Sequence, residues 1–338
     1  MNPSAARTSV RLADGRELVY FDDRPGLDRA APDKRELPPH APRPEVRHDA
    51  LLDEWVAVAA HRQTRTFLPA ADACPLCPGR PDGEIPADGY HVVAFENRFP
   101  SLGGPAGGRC EVVCFTDDHD STFAALPPER LATVARAFID RTRGLGALEG
   151  VEEVFVFENR GTEIGATLQH PHGQIYAFPY VTPRTRQVLR AARNGCVLCW
   201  TVPAEESGER LVAATENFVA YVPYAARWPV QAIIAPRRHV PDLPALGEER
   251  AVELMGLYAD VLGRFGRLFP GSVPYMACWH QAPVTADRDR AHLWVEVFTP
   301  RRTADKLKFL ASAESGAGAF ITDVSPEDAA ARLRAAAP

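Results

Sequence analysis

The sequence has no apolar run that approaches the roughly 20 residues needed to cross a bilayer. Its N-terminal stretch, MNPSAARTSVRLADGREL, contains no apolar core of the kind that a signal peptide requires. It also lacks an excess of basic side chains, because 44 acidic against 38 basic residues give a formal net charge of -6. A field of this sign disfavours nucleic acid as a partner. We therefore expect a cytoplasmic protein that binds neither membrane nor nucleic acid.

Cysteine is scarce, with seven residues in a chain of 338. A small, odd number in a long intracellular chain indicates thiols or metal ligands rather than a disulfide framework. Hydrophobic residues make up 46% and charged residues 24%, a composition that excludes disordered and fibrous proteins. A chain of this length forms one large domain or two of ordinary size.

An internal repeat is the strongest pattern in the sequence. The knuckle CPLC at 74–77 recurs as CVLC at 196–199, which is 122 residues later. Beyond each knuckle, one histidine repeats with a shift of 120 and a second histidine repeats with a shift of 122. A Glu-Asn pair at 96–97 also recurs at 216–217, again a shift of 120. Coincident spacings of this kind predict two similar halves.

Each half carries the ligands for one Cys2His2 zinc site. A Cys-x-x-Cys knuckle alone is only moderately specific, because redox pairs share the spacing. Two histidines per half supply the remaining corners of a tetrahedron. Neither predicted site has an open position, so we expect both metals to be structural. The predicted ligands are Cys74, Cys77, His119 and His170 in the first half, and Cys196, Cys199, His239 and His292 in the second.

The order of apolar patterns predicts an α+β fold. Helices and strands do not alternate strictly enough for a doubly wound parallel sheet, so we expect mainly antiparallel sheets with helices packed against them. Residues 1–45 are polar and rich in proline and are predicted to form an arm, followed by the two halves at 46–181 and 182–338. The predicted helices cover 127–143, 183–193, 248–268 and 325–336, and the predicted strands cover 17–20, 53–59, 90–96, 111–116, 154–158, 174–178, 218–222, 231–235 and 292–298.

The segment HPHGQ at 170–174 leads into a predicted strand and concentrates the chemistry. On an extended chain, residues two apart project to the same side, as His170 and His172 would. Pro171 favours the extended backbone that this geometry requires. Gly173 would let a substrate approach the backbone closely.

The repeat separates the roles of the two histidines. His170 has a counterpart in His292 and is expected to be a metal ligand, whereas His172 corresponds to Trp294, which cannot be a nucleophile. Because only one half has such a free imidazole, the sequence predicts one active site per chain. A histidine nitrogen attacks phosphorus near neutral pH, and Gln174 would donate an amide hydrogen bond to a phosphoryl oxygen. The alternative is that His172 is a core histidine that follows a proline.

Two arginines follow the predicted strand at 53–59. Arg62 and Arg65 lie in HRQTR, and a spacing of three can bring both guanidinium groups to one anion, where they would bind phosphate oxygens. From this segment alone, the alternative of a solvated turn is favoured.

The segment FENRGTEIGATLQHPHGQ at 157–174 resembles the active-site segment of galactose-1-phosphate uridylyltransferases, the transferase branch of the histidine-triad superfamily. Hydrolases of that superfamily have a third histidine where this chain has Gln174. Further stretches that look like family segments are EWVAVAAHRQTR, CPLC, FENRFPSL, YVPYAARWPV and KFLASAESG, so the resemblance extends over nearly the whole chain.

The resemblance implies a uridylyltransferase of galactose metabolism. His172 would attack the α-phosphorus of UDP-glucose or UDP-galactose and release a hexose 1-phosphate, and a second hexose 1-phosphate would then accept the uridylyl group. The family also forms homodimers. The implied contacts are Gln174 with the transferred phosphoryl group; Arg62 and Arg65 with the phosphates; Gly165 and Thr167 with the α-phosphate; Leu76, Phe95, Asn97, Phe99 and Asn159 with the nucleotide; and Lys308, Phe309 and Glu314 with the sugar across the dimer interface.

The chain departs from the family pattern at several positions. Arg98 stands where some members have an acidic residue near the ribose, and Ala313 and Phe320 stand where some have tyrosine and glutamine near the sugar. Some members carry a different metal, held by several histidines near the C-terminal strand. Because Trp294 and Glu296 fill that region here, we expect a second zinc rather than iron.

Two other functions compete with this interpretation. A related adenylyltransferase or phosphorylase, acting on ADP-sugars or dinucleoside polyphosphates, would use the same histidine. A zinc-stapled binding protein without catalytic activity would explain the knuckles, although the net charge of -6 and the lack of a basic stripe disfavour nucleic acid as its ligand.

Overall fold

The computed structural model describes residues 7–64 and 67–338. Eleven of its strands form one sheet in which every neighbouring pair is antiparallel, and a separate two-stranded hairpin lies beside it. The strands of the large sheet are β1 (Arg7–Arg11), β2 (Glu17–Phe21), β5 (Val92–Glu96), β6 (Arg109–Cys114), β7 (Glu153–Arg160), β8 (His172–Phe178), β9 (Leu211–Ala214), β10 (Phe218–Tyr221), β11 (Val230–Pro236), β12 (Tyr275–His280) and β13 (Trp294–Thr299); β3 (Glu45–Asp49) and β4 (Glu54–Val58) form the hairpin.

The two longest helices cover one face of this sheet. The opposite face, here called the open face, is covered only in part, by the short helix at 198–206 and by the segment 74–90. The two longest helices contact each other and pack on the first and second halves of the sheet, respectively, and the main hydrophobic core lies between them and the strands. The helices are α1 (Pro128–Gly146), α2 (Pro183–Ala191), α3 (Leu198–Glu206), α4 (Leu243–Leu246), α5 (Glu248–Gly266), α6 (Ser312–Ala317) and α7 (Pro326–Ala335).

The sheet consists of two halves with the same internal order. One half runs β2-β5-β6-β8-β7, the other runs β9-β10-β11-β13-β12, and β7 pairs with β12 where the halves meet. In each half a long helix follows the third strand of this order, α1 after β6 and α5 after β11. The predicted α+β class with antiparallel strands and two similar halves is therefore confirmed.

Local sequence signals placed the four predicted helices well. The last helix begins as expected, because the Ser325 hydroxyl accepts a hydrogen bond from the Asp328 backbone nitrogen at 3.1 Å and Pro326 occupies the first helical position. Three short helices were not predicted. One of them, α3, begins inside the second cysteine knuckle. None of the helices that the structure describes has the length and apolar character of a membrane span.

The structure corrects two details of the sequence interpretation and refines a third. The N-terminal segment is more than an arm, since β1 and β2 pair along the edge of the large sheet. The strand predicted at 53–59 is present as β4, and it belongs to the separate hairpin. The repeated Glu-Asn pair was a coincidence, because Glu96 ends β5 whereas residues 216–217 precede β10.

Candidate active site and metal centres

Strand β8 carries the predicted catalytic residues on the open face of the sheet. Its residues alternate between partly exposed and buried, which is the period of two expected for a strand with one covered face. His172, Gln174 and Tyr176 therefore share the open face. Gly173 faces the core, where an added Cβ would lie 2.8 Å from the Phe115 ring. The expectation that Gly173 makes room for a substrate was wrong, since it makes room for Phe115.

The imidazole of His172 is held through one nitrogen. Nδ1 lies 2.7 Å from the carbonyl oxygen of His170, and a carbonyl can only accept, so Nδ1 carries the proton and Nε2 bears the lone pair. Burial, together with the nearby guanidinium of Arg160, lowers the pKa of His172 below its usual value. The ring is therefore neutral at pH 7, and no hydrogen bond from the described residues engages Nε2.

His172 and Gln174 line a cavity of about 280 Å³ on the open face. Its position follows from sheet register, because Phe95, Val112, Gln174 and Phe157 lie side by side on four neighbouring strands. The cavity brings together most of the substrate residues predicted from the sequence. Those that line it are Arg62, Leu76, Phe95, Asn97, Phe99, Asn159, Gly165 and Thr167.

Arg62 is the described member of the predicted arginine pair. Its Nη1 donates to the Ser101 hydroxyl and lies 3.2 Å from the Tyr176 hydroxyl, so Arg62 is anchored to the cavity wall rather than solvated in a turn. Arg65 lies outside the described residues. Gly165 adopts a left-handed backbone with φ of 81°, which favours glycine at this bend of the cavity wall.

The cavity is also lined by side chains to which the sequence analysis gave no binding role. Asp82, Glu84, Arg98 and Tyr176 all contribute to it. Arg98 Nη1 lies 3.9 Å from Glu84 Oε1, so the cationic residue noted near the expected ribose position has an acidic neighbour. Tyr176 was detectable, because it lies two residues after Gln174 on the same strand face. The other three sit on loops whose path follows from the tertiary fold.

The first predicted ligand set forms one compact cluster. The donor atoms of Cys74, Cys77, His119 and His170 lie within 4.8 Å of one another. Cys77 Sγ lies 3.5 Å from His119 Nδ1 and 3.6 Å from His170 Nδ1. Tetrahedral zinc with bonds of about 2.3 Å to sulfur and about 2.05 Å to nitrogen places such atoms about 3.6 Å apart. The cluster therefore fits a metal ion of the size of zinc.

The surroundings of His170 suit a metal ligand. Its Nε2 lies 2.8 Å from the Thr116 carbonyl oxygen, which fixes the proton on Nε2 and turns the Nδ1 lone pair toward the cysteines. Burial lowers the pKa of His170 to about 4, so the ring is neutral as ligation requires. Burial, followed by the neighbouring Cys74, raises the pKa of the Cys77 thiol to about 11, so binding of a metal must displace that proton.

The second ligand set forms an equivalent but more exposed cluster. The donor atoms of Cys196, Cys199, His239 and His292 also lie within 4.8 Å of one another. His292 Nδ1 is 3.3 Å from Cys196 Sγ, and His239 Nδ1 is 3.5 Å from Cys199 Sγ. Cys199 is exposed, whereas both cysteines of the first cluster are buried.

The predicted sugar contacts lie away from this cavity within the chain. Lys308 and Glu314 form a buried ion pair of 3.0 Å that holds the start of α6, and Lys308 also donates to the Ile321 carbonyl. Phe309 is 76% exposed. The single chain therefore does not bring these three residues to His172.

A second cavity, of about 480 Å³, lies on the same face of the sheet where the two halves meet. Glu296 lies there at the position on β13 that Gln174 takes on β8, and His280 Nε2 is 3.5 Å from Glu296 Oε2. The His280 ring stacks on Trp294 with ring centroids 3.9 Å apart. Apart from the two clusters above, the residues that the structure describes gather no group of three metal-binding side chains.

A neutral histidine and an amide on one strand, facing a cavity with an anchored arginine, are the parts that phosphoryl chemistry needs. The fold and this site define a nucleotidyltransferase. The model of the galactose-1-phosphate uridyl transferase N-terminal domain matches residues 103–182, and that of the C-terminal domain matches residues 194–337.

Curated relatives are similar in sequence to this chain over most of its length. A galactose-1-phosphate uridylyltransferase of Streptomyces lividans is 47% identical over 97% of this chain and 97% of its own length. One from Thermotoga maritima is 39% identical over 86% of this chain and 98% of its own length. The chain belongs to the galactose-1-phosphate uridylyltransferase family.

Solved structures share the fold. A uridylyltransferase structure superposes with a TM-score of 0.79 at 33% identity, covering 86% of this chain and 98% of that chain. An ADP-glucose phosphorylase from Arabidopsis thaliana gives a TM-score of 0.68 at 23% identity, with the same coverage of both chains. The latter likeness is one of fold alone.

Proposed function

We propose that this chain transfers a uridylyl group from UDP-glucose to galactose 1-phosphate through a covalent uridylyl-His172 intermediate. The observation that carries the proposal is the His172 ring, which lines the cavity while its Nδ1 is bound to a backbone carbonyl. Such a ring has one available lone pair, on Nε2, and needs no base to remove a proton before attack.

In the first step His172 Nε2 forms a bond to the α-phosphorus of UDP-glucose. The bond from that phosphorus to the bridging oxygen breaks, and its electron pair leaves with glucose 1-phosphate. The imidazole gains positive charge as the new bond forms, and the Nδ1–H bond to the His170 carbonyl stabilises that charge. Gln174 donates to a phosphoryl oxygen as negative charge grows on it.

In the second step galactose 1-phosphate enters where glucose 1-phosphate left. Its phosphate oxygen attacks the uridylyl phosphorus, the bond to Nε2 breaks, and UDP-galactose is released. Because both hexose phosphates use one site in turn, a single histidine serves both half-reactions and the kinetics are ping-pong. The reverse exchange uses the same groups.

The cavity residues divide by chemistry into a nucleotide part and a phosphate part. Leu76, Phe95 and Phe99 provide apolar surface for a nucleobase, and Asn97 and Asn159 provide amides for its polar edge or the ribose. Arg62 and Arg65, with Gly165 and Thr167 on the neighbouring loop, serve the phosphates.

Both metal clusters are proposed to hold zinc in structural roles. Cys74, Cys77, His119 and His170 would hold one ion, and Cys196, Cys199, His239 and His292 the other. With four protein ligands each, zinc supplies cross-linking of distant segments rather than an open coordination position. With an ion bound, the first cluster would hold residue 170 in place, and with it the carbonyl that binds His172.

The homodimer is proposed from the resemblance to the family, and the cytoplasmic location is the expectation from the sequence. We assign the first half to residues 46–181 together with strands β1 and β2 of the segment 1–45, and the second half to residues 182–338. Exposed Phe309 and its neighbours Lys308 and Glu314 would contact the hexose bound to the partner subunit. Sedimentation analysis of the full chain tests this arrangement, with a dimer expected and a monomer contradicting it.

Nucleobase selectivity separates the proposal from its nearest alternative, an adenylyl-transferring enzyme. Comparing turnover of UDP-glucose and ADP-glucose with galactose 1-phosphate as acceptor tests it. We expect kcat/KM to be much higher for UDP-glucose than for ADP-glucose. A higher kcat/KM for ADP-glucose would overturn the assignment. Absence of turnover with both donors would favour a zinc-stapled binding protein.

A further inference from the structure

Three polar side chains form a line from the cavity wall to the expected phosphoryl position: Arg62, Tyr176 and Gln174. Arg62 Nη1 lies 3.2 Å from the Tyr176 hydroxyl, and that hydroxyl lies 3.3 Å from Gln174 Oε1. We propose that Tyr176 is a positioning residue, which orients the Gln174 amide so that its NH2 group points at the transferred phosphoryl group.

The direction of this chain of hydrogen bonds follows from its first member. A guanidinium can only donate, so Arg62 donates to the oxygen of Tyr176. The single hydroxyl proton of Tyr176 is then directed to another acceptor, and the Gln174 amide oxygen is in reach. An amide that accepts through its oxygen presents its NH2 group on the opposite side. Without a fixed donor, the two ends of a glutamine amide are nearly interchangeable.

Two other groups near the Tyr176 hydroxyl do not compete well for its proton. The Ser101 hydroxyl accepts from Arg62 Nη1, whereas the Tyr176 hydroxyl is directed to Gln174 Oε1 in the structure. The sulfur of buried Cys110 is a weak acceptor compared with an amide oxygen. The Tyr176 hydroxyl therefore donates its hydrogen bond to Gln174 Oε1.

Tyr176 stays a donor across the working pH range. Burial raises the pKa of the Tyr176 phenol above its usual value, so the hydroxyl remains neutral. The positive charge of Arg62 also polarises the hydroxyl, which strengthens its bond to Gln174 and makes the amide NH2 a better donor. Donors aimed before the reaction stabilise developing charge most effectively.

The proposal about Tyr176 rests on the proposed function. A rate measurement tests it. In Tyr176→Phe, formation of the uridylyl-enzyme from UDP-glucose should slow about 10-fold, since an orienting bond is lost while the Gln174 donor remains. KM for UDP-glucose should change less than kcat. The matched control is Tyr180→Phe, because Tyr180 packs on Trp55 and Phe178 and its hydroxyl makes no hydrogen bond within the described ranges.

A double variant distinguishes positioning from general packing. In a Gln174→Ala background, adding Tyr176→Phe should cause no further loss, because the hydroxyl acts through the absent amide. Losses that multiply, or a single Tyr176→Phe variant with wild-type rate, would overturn the proposal. If the wild-type protein itself forms no adduct, the failure belongs to the proposed function and not to Tyr176.

A second readout needs no catalysis. The side-chain amide signals of Gln174 in a ¹⁵N–¹H spectrum, assigned by their loss in Gln174→Ala, report on the hydrogen bond at Oε1. We expect them to shift in Tyr176→Phe and to stay in place in Tyr180→Phe. Unchanged signals in Tyr176→Phe would contradict the proposed orientation whatever the substrate proves to be.

Discussion

The His172 imidazole is hydrogen bonded through Nδ1 to the carbonyl oxygen of His170, at 2.7 Å. The ring of the same His170 lies 3.6 Å from Cys77 Sγ in the first metal cluster. One residue thus belongs to the cluster through its side chain and to the candidate nucleophile through its backbone. The candidate metal cluster and the candidate nucleophile are therefore joined through residue 170.

Removing the nucleophile tests the assignment of His172. In His172→Gly we expect transfer to fall by on the order of 10⁴-fold or more, because His172 is the only imidazole among the described residues that line the cavity. Steady-state turnover of UDP-glucose and galactose 1-phosphate measures this. Metal content and the thermal transition should stay close to wild type, and substantial remaining turnover would show that the nucleophile is another residue.

The two metal clusters should differ in their effect on activity. Cys77→Ser and Cys196→Ser should each lower bound zinc by about one equivalent per chain. Only Cys77→Ser should also slow transfer, by about 10- to 100-fold, because its cluster fixes His170. Metal analysis and turnover on the same samples decide the matter. Equal activity of the two variants would remove the link between the first metal and His172.

The second cluster should also release its metal more readily. Cys199 is exposed, whereas Cys74 and Cys77 are buried, so a chelator reaches the second ion with less opening of the fold. Treatment with a chelator should remove about one equivalent of zinc quickly and the other slowly, with activity following the slow phase. Release of both in one phase, or loss of activity with the first, would contradict this order.

Stability should depend on pH through Glu158. Its carboxylate accepts from Tyr258 at 2.8 Å and Tyr275 at 2.6 Å, but burial dominates and raises the pKa of Glu158 from 4.5 to about 6. The folded state then holds this proton more tightly than the unfolded state. The stabilisation is fully present below pH 4.5 and is lost as the pH rises through about 6, at a cost on the order of 2 kcal/mol.

The Glu158→Gln variant isolates this contribution from other titrating groups. The difference in unfolding free energy, wild type minus variant, should fall by about 2 kcal/mol between pH 4.5 and 7. Denaturant unfolding at fixed ionic strength across that range measures it. A difference that does not change with pH would show that Glu158 keeps an ordinary pKa in the fold.

The exposed Phe309 offers a test of the sugar-contacting segment. Phe309→Ala should leave the free energy of unfolding within about 0.5 kcal/mol of wild type, because the Phe309 side chain is largely exposed and its removal takes little from the core. If the segment meets the hexose across a dimer, KM for galactose 1-phosphate should rise several-fold while kcat stays similar. An unchanged KM would place the hexose elsewhere.

Much of the site was predictable because its chemistry requires short sequence patterns that can be recognised without the fold. A tetrahedral metal needs ligands in a set spacing, so a duplicated half repeats that spacing, and all eight predicted ligands come together in two clusters. A strand alternates sides, so His172 and Gln174 were expected on one face. Helix starts with a capping residue such as Ser325 were also predictable from the sequence.

The rest depended on contacts between segments far apart in the chain. Glu84 and Arg98 reach the cavity from loops that carry no periodic pattern. Strand β1 belongs to the sheet through its pairing with β2, which its own sequence does not predict. The role of Gly173 depended on Phe115, which lies on another segment. The false match between residues 96–97 and 216–217 shows that a dipeptide alone carries too little information to establish a repeat.

Identification of the residue that becomes modified tests the central claim most directly. The protein is incubated with UDP-glucose labelled in the uridylyl group, without acceptor, and the peptides are mapped under alkaline conditions. We predict an acid-labile adduct, about one per chain, on Nε2 of His172, released as UDP-galactose when galactose 1-phosphate is added. A stable adduct on another residue, or none while turnover proceeds, would contradict the account.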